Sequence, residues 1–471
     1  MRDPKRARLV HGVAAVSLAG AAACAHGLPP LRPDRADRAA AAPRLAGLAM
    51  LAAAGEGAAA EPAGAEGMTL AAAFQLALAH SEQVSIAQRG VIEAQILARD
   101  RWTEIVPSVN VSGGGLLQRE RRVGTVVLTP AEQLVFEARV QQPLYRRGFA
   151  ASRAAGEHGR GIASASLARE REQLARDVVD VFIAVLRTRR QLDLAVASVA
   201  RARAQHQHAA SRVKAGGALR NAELLALLDL RRAEQQHVTA QRDVRFASVA
   251  FQRLIGRAPP PALELPEAPP LPGPAEAREL AQRRRDLQAL QLRVQQAQAE
   301  EAATRQRRWW PRIDLEASVQ YNHPEVFNRS VDWRVLGQVT VPLLDSGREL
   351  TAEALRANET RVAALALERQ LELVLEEVEL AALQLAATAD AARLADEQVA
   401  AAQEYYKLVD KQFRLGAITF LEVTNAQAVL VEAENTLEVA RMERVRAVYD
   451  YLFAIGALDL RAPGAPTASR R

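Results

Sequence analysis

Through the last third of the chain, small and apolar residues recur in alternating steps of four and three. The seam runs from Leu367, Leu371, Val374, Val378 and Ala381 through Leu385, Thr388, Ala392 and Ala395 to Val409 and Phe413. A seven-residue period of this kind lays one helix along another with a left-handed supercoil. No proline stands between Gly347 and Gly416, so the pattern predicts one helix of roughly 100 Å at about 1.5 Å per residue. The seam also appears 200 residues earlier, from Val181, Val185, Thr188 and Leu192 to Val213. Its landmarks recur with it: Gly216 with Gly416, and Ile255-Gly256 with Ile455-Gly456. "QQPLYRRG" (141–148) matches "TVPLLDSG" (340–347), and "IVPSVNVS" from Ile105 matches "WWPRIDLE" from Trp309. The chain is therefore an internal duplication.

Before each long helix the period changes to two. Ile313, Leu315, Ala317, Val319 and Tyr321 alternate with Arg312, Asp314, Glu316, Ser318 and Gln320. The return strand sets Trp333, Val335, Val339 and Val341 against Arg334, Gln338 and Thr340, with Leu336 and Gly337 breaking the pattern. In the first half, Val109 and Val111 oppose Ser108, Asn110 and Ser112. There, Leu134, Phe136, Ala138 and Val140 oppose Val135, Glu137, Arg139 and Gln141. These are hairpins with one apolar and one polar face, over 108–143 and 312–342. A helix capped by Thr69 is expected to run toward Pro107, and its counterpart to run from Ala275 toward Pro311. The helix returning from the first tip (218–255) and the 275–310 segment are expected to stack end to end.

The layout predicted is a signal and flexible leader over 1–66, then a first repeat over 68–258 with its tip near 216. A proline-rich linker follows over 259–273, then a second repeat over 274–460 with its tip near 416, and a disordered tail over 461–471. Strands of about 10 residues suit a tilted membrane strand, and only a closed barrel satisfies a sheet's backbone in lipid. Four strands cannot close, so copies must share one wall. Two copies give 8 strands around a filled interior; three give 12, with room for water beside the charged face. Trp309, Trp310 and Trp333 fall near strand entrances and suggest an interfacial aromatic girdle. Packing at a helix–sheet junction is the alternative reading for Trp309 and Trp102.

Composition changes this picture little. Lys and Arg number 61 against 55 Asp and Glu, too small an excess for a nucleic-acid partner. Charges interleave along the helices as solvated faces do. The single Cys24 excludes an intrachain disulfide and a cysteine zinc site. Arg2, Lys5, Arg6 and Arg8 precede an apolar run from Leu9 to Ala23, the form of an export signal. It ends "LAGAAAC", which puts Cys24 where a lipoprotein would be acylated, although Ala21 replaces the usual leucine; cleavage after Ala60 is the alternative. The Gly113-Gly114-Gly115 run precedes no P-loop lysine, and His206, His208 and His237 do not form a ligand set. No catalytic, metal or cofactor site is assigned, and the chain does not read as an enzyme.

Several stretches resemble one family. "TLAAAFQLALAHSE" (69–82) looks like that family's opening, with His80-Ser81-Glu82 in place of its Asn/Ser-Pro ending. "RVKAGGALRNAELL" (212–225) and "QFRLGAITFLEV" (412–423) look like its helical tips, and the two strand-to-helix corners are also similar. On these residues the chain resembles the TolC family of bacterial outer-membrane efflux proteins from Met68 to Leu460. The resemblance implies a mainly α fold with a β part: a homotrimeric, 12-stranded outer-membrane barrel joined to a 12-helix periplasmic tunnel. It further implies that the tips (Gly216, Gly217, Ala218, Leu219, Gly416, Ala417, Ile418 and Thr419) dock on a periplasmic adaptor bound to an inner-membrane pump or transporter. Glu422 matches the family's acidic ring at the periplasmic mouth, while Asn425 replaces its second acid. Phe413, Ile418 and Ala222 stand in place of the side chains that latch the closed mouth in some members, so a different contact is expected to hold it. A glutamate at a helix start is also favoured by the dipole alone.

Two functions follow from these patterns. One is a passive outer-membrane conduit for efflux or type I secretion, gated at its helical tip. The other is a periplasmic coiled-coil adaptor or scaffold. A matching strand pair in both halves favours the conduit, because an adaptor carries one helical hairpin between β-domain halves.

Overall fold

A computed structural model describes residues 68–123, 126–216, 219–308, 310–326, 329–341, 346–415, 417–418 and 420–460. The leader over 1–66, with Cys24, and the tail over 461–471 lie outside the described residues. The chain opens with α1 (Leu70–His80) and α2 (Glu82–Asp100), followed by a 3-10 turn at Arg101–Glu104. Strands β1 (Ser108–Leu117), β2 (Arg121–Val123), β3 (Val126–Thr129) and β4 (Glu132–Tyr145) lead into α3 (Phe149–Lys214) and α4 (Arg220–Ile255). The second half repeats the order with α5 (Pro274–Gln282), α6 (Arg285–Arg307), β5 (Arg312–Val326), β6 (Arg329–Thr340), α7 (Arg348–Arg414) and α8 (Phe420–Ala454).

The two long helices are continuous, as the heptad seams require. At 66 and 67 residues each is roughly 100 Å long at about 1.5 Å per residue. Each begins at a glycine in the left-handed region, Gly148 (φ 88°) and Gly347 (φ 82°), where a side chain at that φ would be strained. At Gly148 a Cβ would also come within 2.7 Å of the Ala303 carbonyl oxygen.

The shorter helices depart from expectation in two ways. First, neither runs unbroken to its proline. The first breaks at Ser81, whose hydroxyl accepts from the Val84 amide and caps α2; the second breaks at Arg283–Arg284, between α5 and α6. Second, stacking is not sequential. A Cβ on Gly256, at the end of α4, would meet His80 at 3.1 Å, and one on Gly456, beyond α8, would meet Arg284 Cγ at 2.8 Å. So α4 abuts the α1–α2 junction and α8 abuts the α5–α6 junction. The linker carries the chain sideways between these slots instead of continuing α4 into α6. Arg189 of α3 donates to the carbonyls of Pro259, Pro260 and Pro261 at 3.3, 2.7 and 3.0 Å. Tyr449 of α8 donates to the Glu267 carbonyl at 3.3 Å.

The main core lies at this level. Phe74 of α1, Val178 and Phe182 of α3, Phe251 and Ile255 of α4, and Phe453 of α8 are all buried in one cluster. On the sheet side of it, the helices neighbour one another in the order α2, α3, α6, α7; on the tip side the order is α4, α3, α8, α7. Near the sheet, α3 approaches its neighbours closely. A Cβ on Gly156 would meet the α2 backbone at Ala98 Cα at 3.1 Å, and one on Gly161 would meet Leu292 of α6 at 2.8 Å.

The four long strands form one antiparallel sheet in the order β1-β4-β5-β6, and β2 and β3 form a separate small hairpin. Register joins Val109 to Val140, Val140 to Ala317 and Ala317 to Val335, so apolar rows cross all four strands.

Candidate functional site

The sheet has two faces and two open edges. On one face Val109, Val111, Phe136, Trp333, Val335 and Val339 are exposed, and no helix among the described residues covers them. A Cβ on Gly113 would lie 2.9 Å from the Phe136 ring, which covers this glycine on the same face. An uncovered apolar face of this extent marks an interaction with lipid or protein. The opposite face is ionic. Glu316 sits between Arg139 at 3.6 Å and Arg334 at 3.3 Å, Arg139 also pairs with Glu137 at 2.9 Å, and Arg146 pairs with Asp314 at 2.7 Å. Gln133 and Gln320 both donate to Asn322 Oδ1, at 3.0 and 2.8 Å. Among the described residues, strands β1 and β6, at the ends of the order, each lack a partner on one side.

Below the sheet a neck ties the layers together. Glu104 accepts from Ser152 of α3 at 2.8 Å and from Arg307 of α6 at 2.6 Å. Trp102 packs edge-on against Phe149 at 5.6 Å. Trp310 lies 6.4 Å from Tyr145, with Arg147 over its ring at 4.0 Å. Trp333 is 75% exposed and stands opposite Val319. It is seven residues up the strand from Thr340, about 23 Å at 3.3 Å per residue. The structure therefore does not join Trp310 and Trp333 in one ring: they mark opposite ends of the apolar band. Trp309 lies outside the described residues.

At the far end, α3 stops at Ala215 and Gly216 (φ 75°), whose amide donates to the Val213 carbonyl at 3.0 Å. In the other tip the Ala417 amide donates to Gln412 at 3.0 Å. Leu219 and Leu415 are 75% and 76% exposed, one at each tip, and Ile418 is half-buried. Gly217, Ala218, Gly416 and Thr419 lie outside the described residues. Glu422 is exposed in the first turn of α8, and Asn425 is exposed one turn later, beside the fully buried Ala426. The sequence patterns do not single out Glu223, which lies in the first turn of α4 one position past the repeat partner of Glu422 and pairs with Arg220 at 3.0 Å. The two share only that each returning helix starts with an acid near its N-terminus.

Toward the core, three ion pairs join the two helical hairpins. Arg176 meets Asp450 at 2.9 Å, Arg446 meets Asp180 at 2.8 Å, and Arg187 meets Glu443 at 3.1 Å. Burial pushes the Asp180 carboxyl above its ordinary range despite Arg446. Tipward of Glu443 the hairpins part around an open groove of about 1040 Å³ that includes Ser198, Arg232, Thr239 and Asn435. At the core level Arg284 is held by Asp286, Glu377 and the Ala454 carbonyl. Among the described residues no helix is long and apolar enough to cross a membrane.

A profile of outer membrane efflux proteins matches residues 73–257 and 277–457. No curated protein matches the sequence. Among solved structures, CusC, studied for its folding and transmembrane channel formation, is 16% identical with a TM-score of 0.71, covering 86% of this chain and 95% of its own. A membrane protein from Pseudomonas aeruginosa is 19% identical with a TM-score of 0.71, over 84% and 91%. The outer membrane protein VceC from Vibrio cholerae is 16% identical with a TM-score of 0.68, over 82% and 96%. At these identities the likeness is one of fold.

Proposed function

Since the chain belongs to the outer membrane efflux protein family and is an outer-membrane efflux channel component, we propose that three copies make the complete conduit. Members of this family form trimers and work with an adaptor and an inner-membrane pump. Three copies would join β6 of each to β1 of the next, giving 12 strands from three four-stranded sheets, wide enough for a water-filled bore. The bare apolar face then meets lipid, and the ionic face around Glu316 lines the bore. Trp333 on one side and Trp310 on the other serve as the two interfacial anchors.

The helices continue the tube into the periplasm. Gly216, Leu219, Ala417 and Ile418, with their neighbours Gly217, Ala218, Gly416 and Thr419, are the surface we assign to the periplasmic adaptor. Glu422 and Glu223 from each copy are the acids we place at the mouth, with Asn425 behind Glu422. Cys24 remains the candidate for lipid attachment. Work is done by the inner-membrane partner; the channel supplies the path and opens by movement of the hairpin ends.

The observation that carries this reading is the sheet: open at both edges, bare on its apolar face and ion-paired on the other. A periplasmic scaffold would have to cover that apolar face, and the described residues do not. The test is fractionation. Extraction from outer membranes only by detergent, as a crosslinkable trimer, is the expected result; recovery as a soluble monomer would overturn the proposal.

A further inference from the structure

The two halves of the duplication have diverged in charge. Residues 149–256 hold 18 Lys and Arg against 10 Asp and Glu, a net of +8. Residues 348–456 hold 11 against 19, a net of −8. On the tip side of the core, α4 and α7 are the outermost of the described helices, so their far faces have no neighbour among the described residues.

Those far faces are complementary. Helix α4 buries Leu230, Ala233, Ala240 and Phe251. At 3.6 residues per turn, Arg220, Arg231, Arg242, Arg245 and Arg253 share a stripe turned away from them, with the exposed Leu224, Val238 and Val249 between. Helix α7 buries Thr388, Ala392, Ala395 and Ala402. Opposite these, tipward of Glu377, run Glu379, Asp390, Glu397 and Glu404, interleaved with the exposed Leu383, Leu394 and Leu408. No Lys or Arg stands in the acidic stripe, and Arg393 pairs with Glu397 from its margin. The basic stripe is about 50 Å long and the acidic one about 38 Å at about 1.5 Å per residue.

We propose that these stripes meet between neighbouring copies, α4 of one against α7 of the next, as a charge-matched seam that closes the periplasmic tube. The proposal rests on the trimeric reading above and names what holds its tip end together. Like stripes repel, so α4 against α4 or α7 against α7 is disfavoured and only head-to-tail contact brings opposite signs together. The pairs that Arg231 and Arg242 make with Glu234 and Asp243 are exposed contacts within one helix. Such pairs are weak enough to be exchanged for partners across an interface. Leucines and valines supply the buried contact, and the charges set its polarity. Because the charged rows lie at a rim, closure should loosen with salt as the screening length falls from about 8 Å at physiological ionic strength to about 3 Å at 1 M.

The experiment uses the full chain in detergent and reads hydrogen exchange along α4 and α7. In one variant Arg231, Arg242 and Arg245 are replaced by Glu; in a second Asp390, Glu397 and Glu404 are replaced by Lys; a third carries all six changes. Each triple variant is expected to remain trimeric through its barrel while both stripes exchange about tenfold faster, and the sixfold variant is expected to recover protection. The unaltered protein should show the same loosening in 1 M salt. Unchanged exchange in both triple variants, or a sixfold variant no better protected than either, overturns the seam. If a triple variant fails to fold, the corresponding Gln substitutions and the salt series on the unaltered protein decide between the same outcomes. A wild type that is not trimeric defeats the channel reading itself, a result distinct from a trimer whose stripes ignore charge.

Discussion

Replacing Arg284 by methionine removes the most deeply buried charge of the middle layer while keeping a chain of similar length. Arg284 is 2% exposed and makes four hydrogen bonds. Two go to Asp286 at 3.1 and 2.8 Å, one to Glu377 at 2.6 Å and one to the Ala454 carbonyl at 2.7 Å. Breaking a buried pair by removing one partner costs about 3–5 kcal/mol. Glu377 is 38% exposed and recovers water, which places the expected loss near the lower end, at about 3 kcal/mol. At roughly 2–4 °C per kcal/mol for a domain of 150–250 residues, the melting temperature of the detergent-solubilised protein should fall by roughly 6–12 °C. Asp286→Asn in the same background should then cost less than it does alone, with a coupling of about 1–3 kcal/mol. A methionine variant that melts within about one degree of the parent, or strictly additive losses, would refute the assignment of Arg284 as the ionic joint of α5, α6, α7 and α8.

Two carboxylates near this joint should respond in opposite senses to losing their charge. Burial tends to raise Asp286, but the Arg284 hydrogen bonds outweigh it and hold the carboxyl below its ordinary range. Its stabilisation is therefore present above the ordinary carboxylate pKa and is lost as pH falls through the lowered value. Burial raises Glu172 despite Arg169, so the fold favours its protonated form and that contribution disappears as pH rises through the raised value. Asp286→Asn should lower the melting temperature at pH 7, whereas Glu172→Gln should leave it level or raise it; the reverse order would contradict the burial argument. In α3, Gly156→Val should destabilise strongly, because the atom it meets is α2 backbone. Gly159→Ala, with nothing nearer than Gln296 at 3.8 Å, should stabilise the helix by up to about 1 kcal/mol; equal effects of the two on melting would count against close approach of α2. At the mouth, Glu422→Lys combined with Glu223→Lys should move the reversal potential in planar bilayers away from cation preference, and an unchanged potential would remove both from the aperture.

The long helices and the sheet were legible because each rests on a local period. The seam from Leu367 to Phe413 and the alternation from Arg312 to Tyr321 are visible without knowing what packs against them. The helix break at Ser81 had a local signal too, a serine able to cap the Val84 amide, and it went unread because no proline or glycine accompanied it. The break at Arg284 had none: it depends on Glu377 and Ala454, distant in sequence. Non-sequential stacking was illegible for the same reason, since a proline-rich segment reads equally well as a straight spacer or a sideways belt. Of the site, Glu422 follows only from the family resemblance and the tips from the repeat as well, while Glu223 carries neither signal, because the repeat partner of Glu422 is Ala222. Trp333 does stand near the entrance of its own strand, the fifth residue of β6, but antiparallel pairing sets that entrance at the end of the sheet away from Trp310.

The belt pinned by Arg189 fuses two equivalent half-units into a single gene product. With six separate halves, any substitution would be copied at every position around the circumference, and adjacent units would always carry the same sign. In the trimer we propose, tethering would restrict each change to three alternate positions. One half could then drift basic and the other acidic without either meeting its own likeness, an option closed to untethered halves.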